Sequence, residues 1–246
     1  MNRILRMEKI DRYGRPAETG GGDAAFMSFT DAARDPASGK TSSRRPGSRS
    51  FRIRVTPEEG EPFTISARRA AALGLSEGMD LPLEVHEEIL RILCSSCMQR
   101  CGTLLGSRDY SVHRLREKLQ DAGFPPLVVE DCIAKLKEAR YLDDGRYAQT
   151  YVRSYIHSRS CMRIRRDLLE RGISEEEIDR AFAVIGEEAD PEKAQLDQIR
   201  RLLQKRGFDP DQADYAMRQK TMAFLHRKGY ETDLIRRAME ANSYSF

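Results

Sequence analysis

Tryptophan is absent from this chain, and aromatic residues make up only 7% of it. Apolar residues of every kind reach 39%, against 33% charged, over 246 positions. So lean a composition argues against one large core and suits thin helical units that each bury little. No stretch approaches the roughly 20 apolar residues that a membrane helix needs. Arg3, Arg6, Glu8 and Lys9 break up the N-terminal run that a secretory signal would use. The five cysteines are odd in number and three crowd one segment, which reads as reduced thiols. The chain is therefore expected in the cytoplasm, off the membrane and working as a monomer. P-loop, G-x-S-x-G and H-E-x-x-H patterns are all missing. Neither enzymatic activity nor a cofactor is expected.

Acidic residues are missing from one window. Residues 145–166 contain Arg146, Arg153, Arg159, Arg163, Arg165 and Arg166, with His157, and no Asp or Glu. The net charge of +3 is too small to indicate a polyanion partner by itself. A run of charge is often only a solvated face, but such faces mix signs. Six arginines without one acid argue for an anionic partner, because guanidinium offers a planar fork to carboxylate or phosphate. Tyr147, Tyr151 and Tyr155 recur four residues apart in the same window. They share the side of Ala148 and Val152, which favours core packing over stacking on bases.

What is present divides into five parts. Residues 1–50 are rich in Gly, Ser and Pro and read as a disordered basic tail, whose Arg44, Arg45 and Arg49 are free to touch phosphates. Removing that tail is expected to leave thermal melting nearly unchanged. Residues 51–83 alternate Phe51, Ile53 and Val55, then Phe63 and Ile65, which predicts a β-hairpin followed by a short helix at Ala67–Leu73. From residue 84 onward the period is helical throughout. Three-helix units are expected at 84–140, 141–187 and 188–246. Their helices are placed at Glu87–Gly106, Ser111–Ala122 and Pro126–Ala139; Asp144–Ser158, Met162–Arg171 and Glu175–Gly186; and Pro191–Arg206, Asp211–Lys228 and Thr232–Ala241.

The repetition has a register. Gly123, Gly172 and Gly229 each stand four residues after a leucine (Leu119, Leu168, Leu225). Apolar residues follow each glycine at +1 (Phe124, Ile173, Tyr230), at +6 (Val129, Ile178, Ile235) and at +10 (Ile133, Phe182, Met239). Each glycine should end the second helix of a unit. The fold class expected is all-α: tandem three-helix repeats in an elongated curved array, with a small N-terminal β-hairpin.

Cys94, Cys97 and Cys101 invite a metal site, with a fourth ligand from Cys132, Cys161 or a histidine. Yet their spacing continues from Leu90 toward Leu104 and Leu105, so they read as small apolar residues on a buried stripe. No metal is expected.

Local signals converge on Tyr141–Ser174. Asp143 or Asp144 starts a helix, Gly172 stops the next, and Ser174-x-x-Glu177 is a capping box for a third. The run Y-L-D-D-x-R-Y-A (Tyr141–Ala148), Y-V-R-S (Tyr151–Ser154), R-I (Arg163–Ile164) and L-x-x-x-G-I (Leu168–Ile173) resembles the core repeat of the RecX family. Leu104–Leu119 is similar as well. Family members usually carry Gly before the aromatic of the L-D-D run, where this chain has Arg140, and Gly shortly before R-I, where it has Ser160, Cys161 and Met162. The resemblance implies a non-catalytic regulator that binds RecA–DNA filaments, lodges in their groove and lowers ATP hydrolysis and strand exchange. Such a protein acts in control of homologous recombination, DNA repair and the SOS response. The partners it implies are the RecA filament and single- or double-stranded DNA. The alternative is a helical protein that binds nucleic acid directly.

Overall fold

The computed structural model describes residues 2–10 and 52–241. The Arg44, Arg45 and Arg49 cluster lies outside them. Four strands, β1 (Asn2–Ile10), β2 (Arg52–Pro57), β3 (Phe63–Ser66) and β4 (Asp80–Leu81), form one sheet in the order β3-β2-β1-β4. All its pairings are antiparallel. The expected hairpin is β2–β3, and α1 (Ala67–Ala72) follows it, capped by Ser66.

For residues 2–10 the expectation of a disordered tail is overturned. They form an interior strand of the sheet, with Ile4 and Ile10 buried to 0% and 1% exposure. The register shifts between Ile4 and Arg6, so apolar residues do not alternate along the strand and the period-2 signal is erased. Losing this strand removes the ladder between β2 and β4, so an unchanged melt on truncation is no longer expected.

Helices account for the rest: α2 (Leu83–Leu105), α3 (Val112–Asp121), α4 (Pro126–Glu138), α5 (Asp144–Tyr155), α6 (Cys161–Leu169), α7 (Glu175–Glu188), α8 (Pro191–Lys205), α9 (Tyr215–Arg227) and α10 (Thr232–Ala241). They are the three triplets that the register predicted. Helix α2 starts four residues earlier than expected, and α9 starts four later. Before α9 a turn forms in which the Asp209 carboxylate accepts from the Asp211 amide at 2.9 Å, while Asp214 caps the helix proper through Met217 N at 2.7 Å. Aspartate's local hydrogen bonding competes with helix at such a position.

The chain falls into two compact units. One takes the described residues up to Ser107 with Arg116–Lys135; the other takes Arg108–Leu115 and the described residues from Leu136 onward. The first unit buries Ile53, Val55 and Ile65 of the sheet, and Ile89, Leu93, Cys97 and Cys101 along α2. Cys97, Cys101 and Leu104 are buried at the positions expected, but Leu90 and Cys94 are only half-buried, so the first half of the stripe runs one residue earlier, on Ile89 and Leu93. Cys132 of α4 is buried, and its thiol donates a weak bond to the Cys94 carbonyl at 3.8 Å.

The second unit holds two clusters. One centres on Val152, Ile164, Leu168 and Ile178, where α5 packs along α7; the other on Ile199, Leu203, Leu225 and Ile235 of α8–α10. Every register position is buried except Phe182, which packs half-exposed at the edge. Gly172 has φ +75°, and a Cβ there would stand 2.4 Å from His113 Cβ; Gly123 and Gly229 occupy the same place in their units. The close approach has a repeated partner. Buried Ser111 donates to the Arg171 carbonyl and buried Ser160 to the Lys228 carbonyl, each at 2.6 Å. The same hydroxyls accept from Arg114 N and Arg163 N at 3.3 Å, capping α3 and α6. One serine thus starts the second helix of its own repeat and clasps the end of the second helix in the next.

Candidate functional site

Helix α5 begins on two aspartates with separate tasks. Asp143 accepts from Arg146 N at 2.9 Å and caps α5 itself, while Asp144 accepts from Val112 N at 2.9 Å and caps α3. Burial pushes the Asp144 carboxyl up against the pull of that amide. The pair explains why two acids stand together where one would cap a helix.

Helices α5 and α6 and their link carry the seven residues picked from the acid-free window. Arg146 is exposed on the first turn of α5 and forms no ion pair among the described residues. Arg153 makes a forked pair with Glu188 at 2.8 and 3.1 Å. Arg165 pairs with Asp179 and lies 5.1 Å over the Phe182 ring. Arg159 reaches Asp167 at 2.6 Å and the Tyr151 hydroxyl at 2.9 Å, and Arg163 reaches the same carboxylate at 3.1 Å. Acids excluded from the window therefore return in space from Asp167, Asp179 and Glu188. Burial pushes the Asp167 carboxyl up, but the hydrogen bond from Arg159 and the charges of Arg163 and Arg159 outweigh it, leaving it below the ordinary carboxylate range.

Tyr147, Tyr151 and Tyr155 pack half-buried against the α5–α7 cluster. Arg159 covers the Tyr155 ring at 3.9 Å and Arg171 the Tyr151 ring at 4.7 Å, so neither of those faces is open to a base. Among the described residues no group of three or more Cys, His, Asp or Glu is arranged to hold a metal ion.

His157, Arg159, Arg163 and Arg166 converge on one cleft of about 840 Å³. Its other wall comes from the third repeat: Arg201 of α8, then His226, Arg227 and Lys228 at the end of α9. Among the described residues no acidic side chain lines it. Arg166, Arg201, Arg227 and Lys228 form no ion pair among the described residues, although Arg201 donates to the His157 and Asp197 carbonyls at 3.3 and 3.2 Å. Arg146, Arg153 and Arg165 lie outside this cleft. The four third-repeat residues were missed because the search weighed one contiguous window. Superposing the units on Gly172 and Gly229 would have drawn attention to three of them, since His226-Arg227-Lys228 directly precedes the second glycine; Arg201 of α8 carries no such signal.

The fold defines the class: a small sheet followed by tandem three-helix repeats, with a basic cleft between the last two. Family models match each repeat in turn: RecX, first three-helix domain at 97–136, second at 143–181 and third at 193–239. The chain belongs to the RecX family. A regulatory protein RecX of Trichlorobacter lovleyi is 33% identical over 150 residues, covering 59% of this chain and 95% of its own. One from Clostridium botulinum is 27% identical over 190 residues, covering 75% and 87%. In fold, the chain resembles a crystal structure of a regulatory protein RecX (TM-score 0.56, 19% identity, 98% of this chain and 100% of that one). It also resembles RecX from Lactobacillus salivarius (TM-score 0.55, 18% identity, 62% and 98%).

Proposed function

We propose that this chain is a non-catalytic regulator that binds RecA–DNA filaments and lowers RecA's ATP hydrolysis and strand exchange. Its relatives are named regulatory proteins, and all three of its repeats match that family. The observation that carries the reading is the cleft between the second and third repeats, whose described lining is basic and free of acid. Tandem repeats suit such a partner because they spread contacts along an extended surface. The test is RecA ATPase on single-stranded DNA, with the protein added after filaments have assembled. A dose-dependent fall in hydrolysis supports the reading, and unchanged hydrolysis at saturating protein contradicts it. Control of recombination and DNA repair would follow from that inhibition. If the chain instead acts on DNA alone, its binding to DNA will not depend on RecA.

A further inference from the structure

The cleft has more charge than its surroundings neutralise. Arg159 and Arg163 share one carboxylate, Asp167, which is 7% exposed and stands behind the wall rather than in the opening. Two guanidiniums on one acid leave a positive charge over, and Arg166, Arg201, Arg227 and Lys228 add four with no ion-pair partner among the described residues. Cations at the end of α9 offset the negative end of that helix, but this accounts only for Arg227 and Lys228. Arg166 belongs to α6 and Arg201 to α8, so that helix-end effect does not account for them; Arg201 donates to the His157 and Asp197 carbonyls, which leave its charge unneutralised.

Two features say which anion the cleft suits. The first is the character of its exposed side chains: those of the described lining are mostly basic or polar, and Met162, at 61% exposure, is the one large exposed hydrophobic among them. The central part of a protein–protein interface is depleted in charge and rich in aromatics, whereas nucleic-acid interfaces are polar and strongly positive. The second is that no Phe or Tyr ring among the described lining residues is open to a base. Tyr230 is 5% exposed with its hydroxyl given to Gln198 at 2.8 Å, and the Tyr155 ring is covered by Arg159.

We propose that this cleft seats the phosphodiester backbone of nucleic acid, held by Arg166, Arg201, Arg227 and Lys228, and reads no bases. The inference deepens the filament reading and rests on it for its setting, but its physical test is independent. Arg166 and Arg227 are the two to change, because both are exposed and neither has an ion pair whose loss would disturb the fold.

The experiment titrates the full chain into a labelled single strand and into its duplex, across a range of salt, reading fluorescence anisotropy. Wild type should bind both, with affinity falling steeply as salt rises, and without preference among unrelated sequences. R166Q/R227Q removes two contacts. Its salt slope should fall by about 1.4 on the single strand and about 1.8 on the duplex, with roughly 25- to 60-fold weaker binding near 0.1 M salt. R166K/R227K should restore most of both. R180Q/R236Q loses the same charge at exposed sites outside the cleft and should bind much as wild type does. Circular dichroism melts confirm that each variant is folded.

The inference is overturned if wild type binds neither oligonucleotide at low salt, if R166Q/R227Q binds as wild type, or if R180Q/R236Q loses as much. Should R166Q/R227Q keep its nucleic-acid affinity yet stop inhibiting RecA, the cleft docks protein and the filament reading survives alone. Should that variant lose nucleic acid while the wild type leaves RecA ATPase untouched, the cleft inference stands and the filament reading falls.

Discussion

Arg140 is the one non-glycine residue with positive φ among those described, at 58°. It ends α4: Arg140 N bonds to the Lys137 carbonyl at 3.0 Å and Tyr141 N to the Leu136 carbonyl at 2.9 Å. A left-handed residue with a side chain costs about 1–2 kcal/mol, which is why glycine is favoured at such a helix end. Part of that is recovered because glycine is more disordered in the unfolded chain. Arg140→Gly should therefore stabilise the protein by about 0.5–1 kcal/mol in urea unfolding, and a destabilised variant would show that the guanidinium makes a compensating contact. The Arg–Tyr junction was readable in the sequence as a departure from the family's glycine, but its backbone angle was not.

Asp167 is the other residue whose role was invisible in the chain order, because it sits one position past the acid-free window. Its folded carboxyl lies below the ordinary range, so its stabilisation is complete above the unfolded value of about 3.9 and drains away as pH falls through the folded one. Asp167→Asn should cost about 1–3 kcal/mol at neutral pH, since it leaves Arg159 and Arg163 without their acid. The gap between variant and wild type should close in acid. A gap that stays constant down to about pH 3 would show that packing, not charge, sets the cost.

At the scale of elements, helices were legible where an apolar stripe and a capping residue agree; α2, whose start at Pro82 has no side-chain cap, was placed four residues late. Ser174 accepts from Glu177 N at 3.3 Å, and Asp190 accepts from Glu192 N and Lys193 N at 3.0 and 3.1 Å in front of Pro191. Strand β1 failed that test of agreement, since its bulge breaks the period and its charges look like those of a tail. Removing residues 2–10 should abolish cooperative melting of the first unit while leaving α5–α10 helical, because β1 pairs with both β2 and β4. Hydrogen exchange resolved by segment would show it, and full protection of β2 and β3 in the truncated chain would contradict it. The basic helices carry a related lesson. Arg153, an obvious candidate in the sequence, is occupied by Glu188, so Arg153→Glu would set two carboxylates together and disturb α5 against α7 rather than test a binding face.

In the whole molecule, the glycine register and its serine clasp are the same fact seen twice. The glycines were readable because they punctuate a spacing; the clasps were not, because Ser111 meets Arg171 and Ser160 meets Lys228 sixty or more positions away. The candidate site divides in the same way. Four of its basic residues come from the acid-free window, and four enter from the third repeat, brought there by packing that no single window contains. The central claim is that the chain acts on RecA-coated DNA. Its most direct test is the affinity of the intact chain for RecA-coated and for naked single-stranded DNA of one sequence, at physiological salt and again at low salt. At physiological salt the coated DNA should bind far more tightly, with protein contacts supplying the difference, while naked DNA gains ground only as salt is lowered. Equal affinity for coated and naked DNA at both salts would contradict the account.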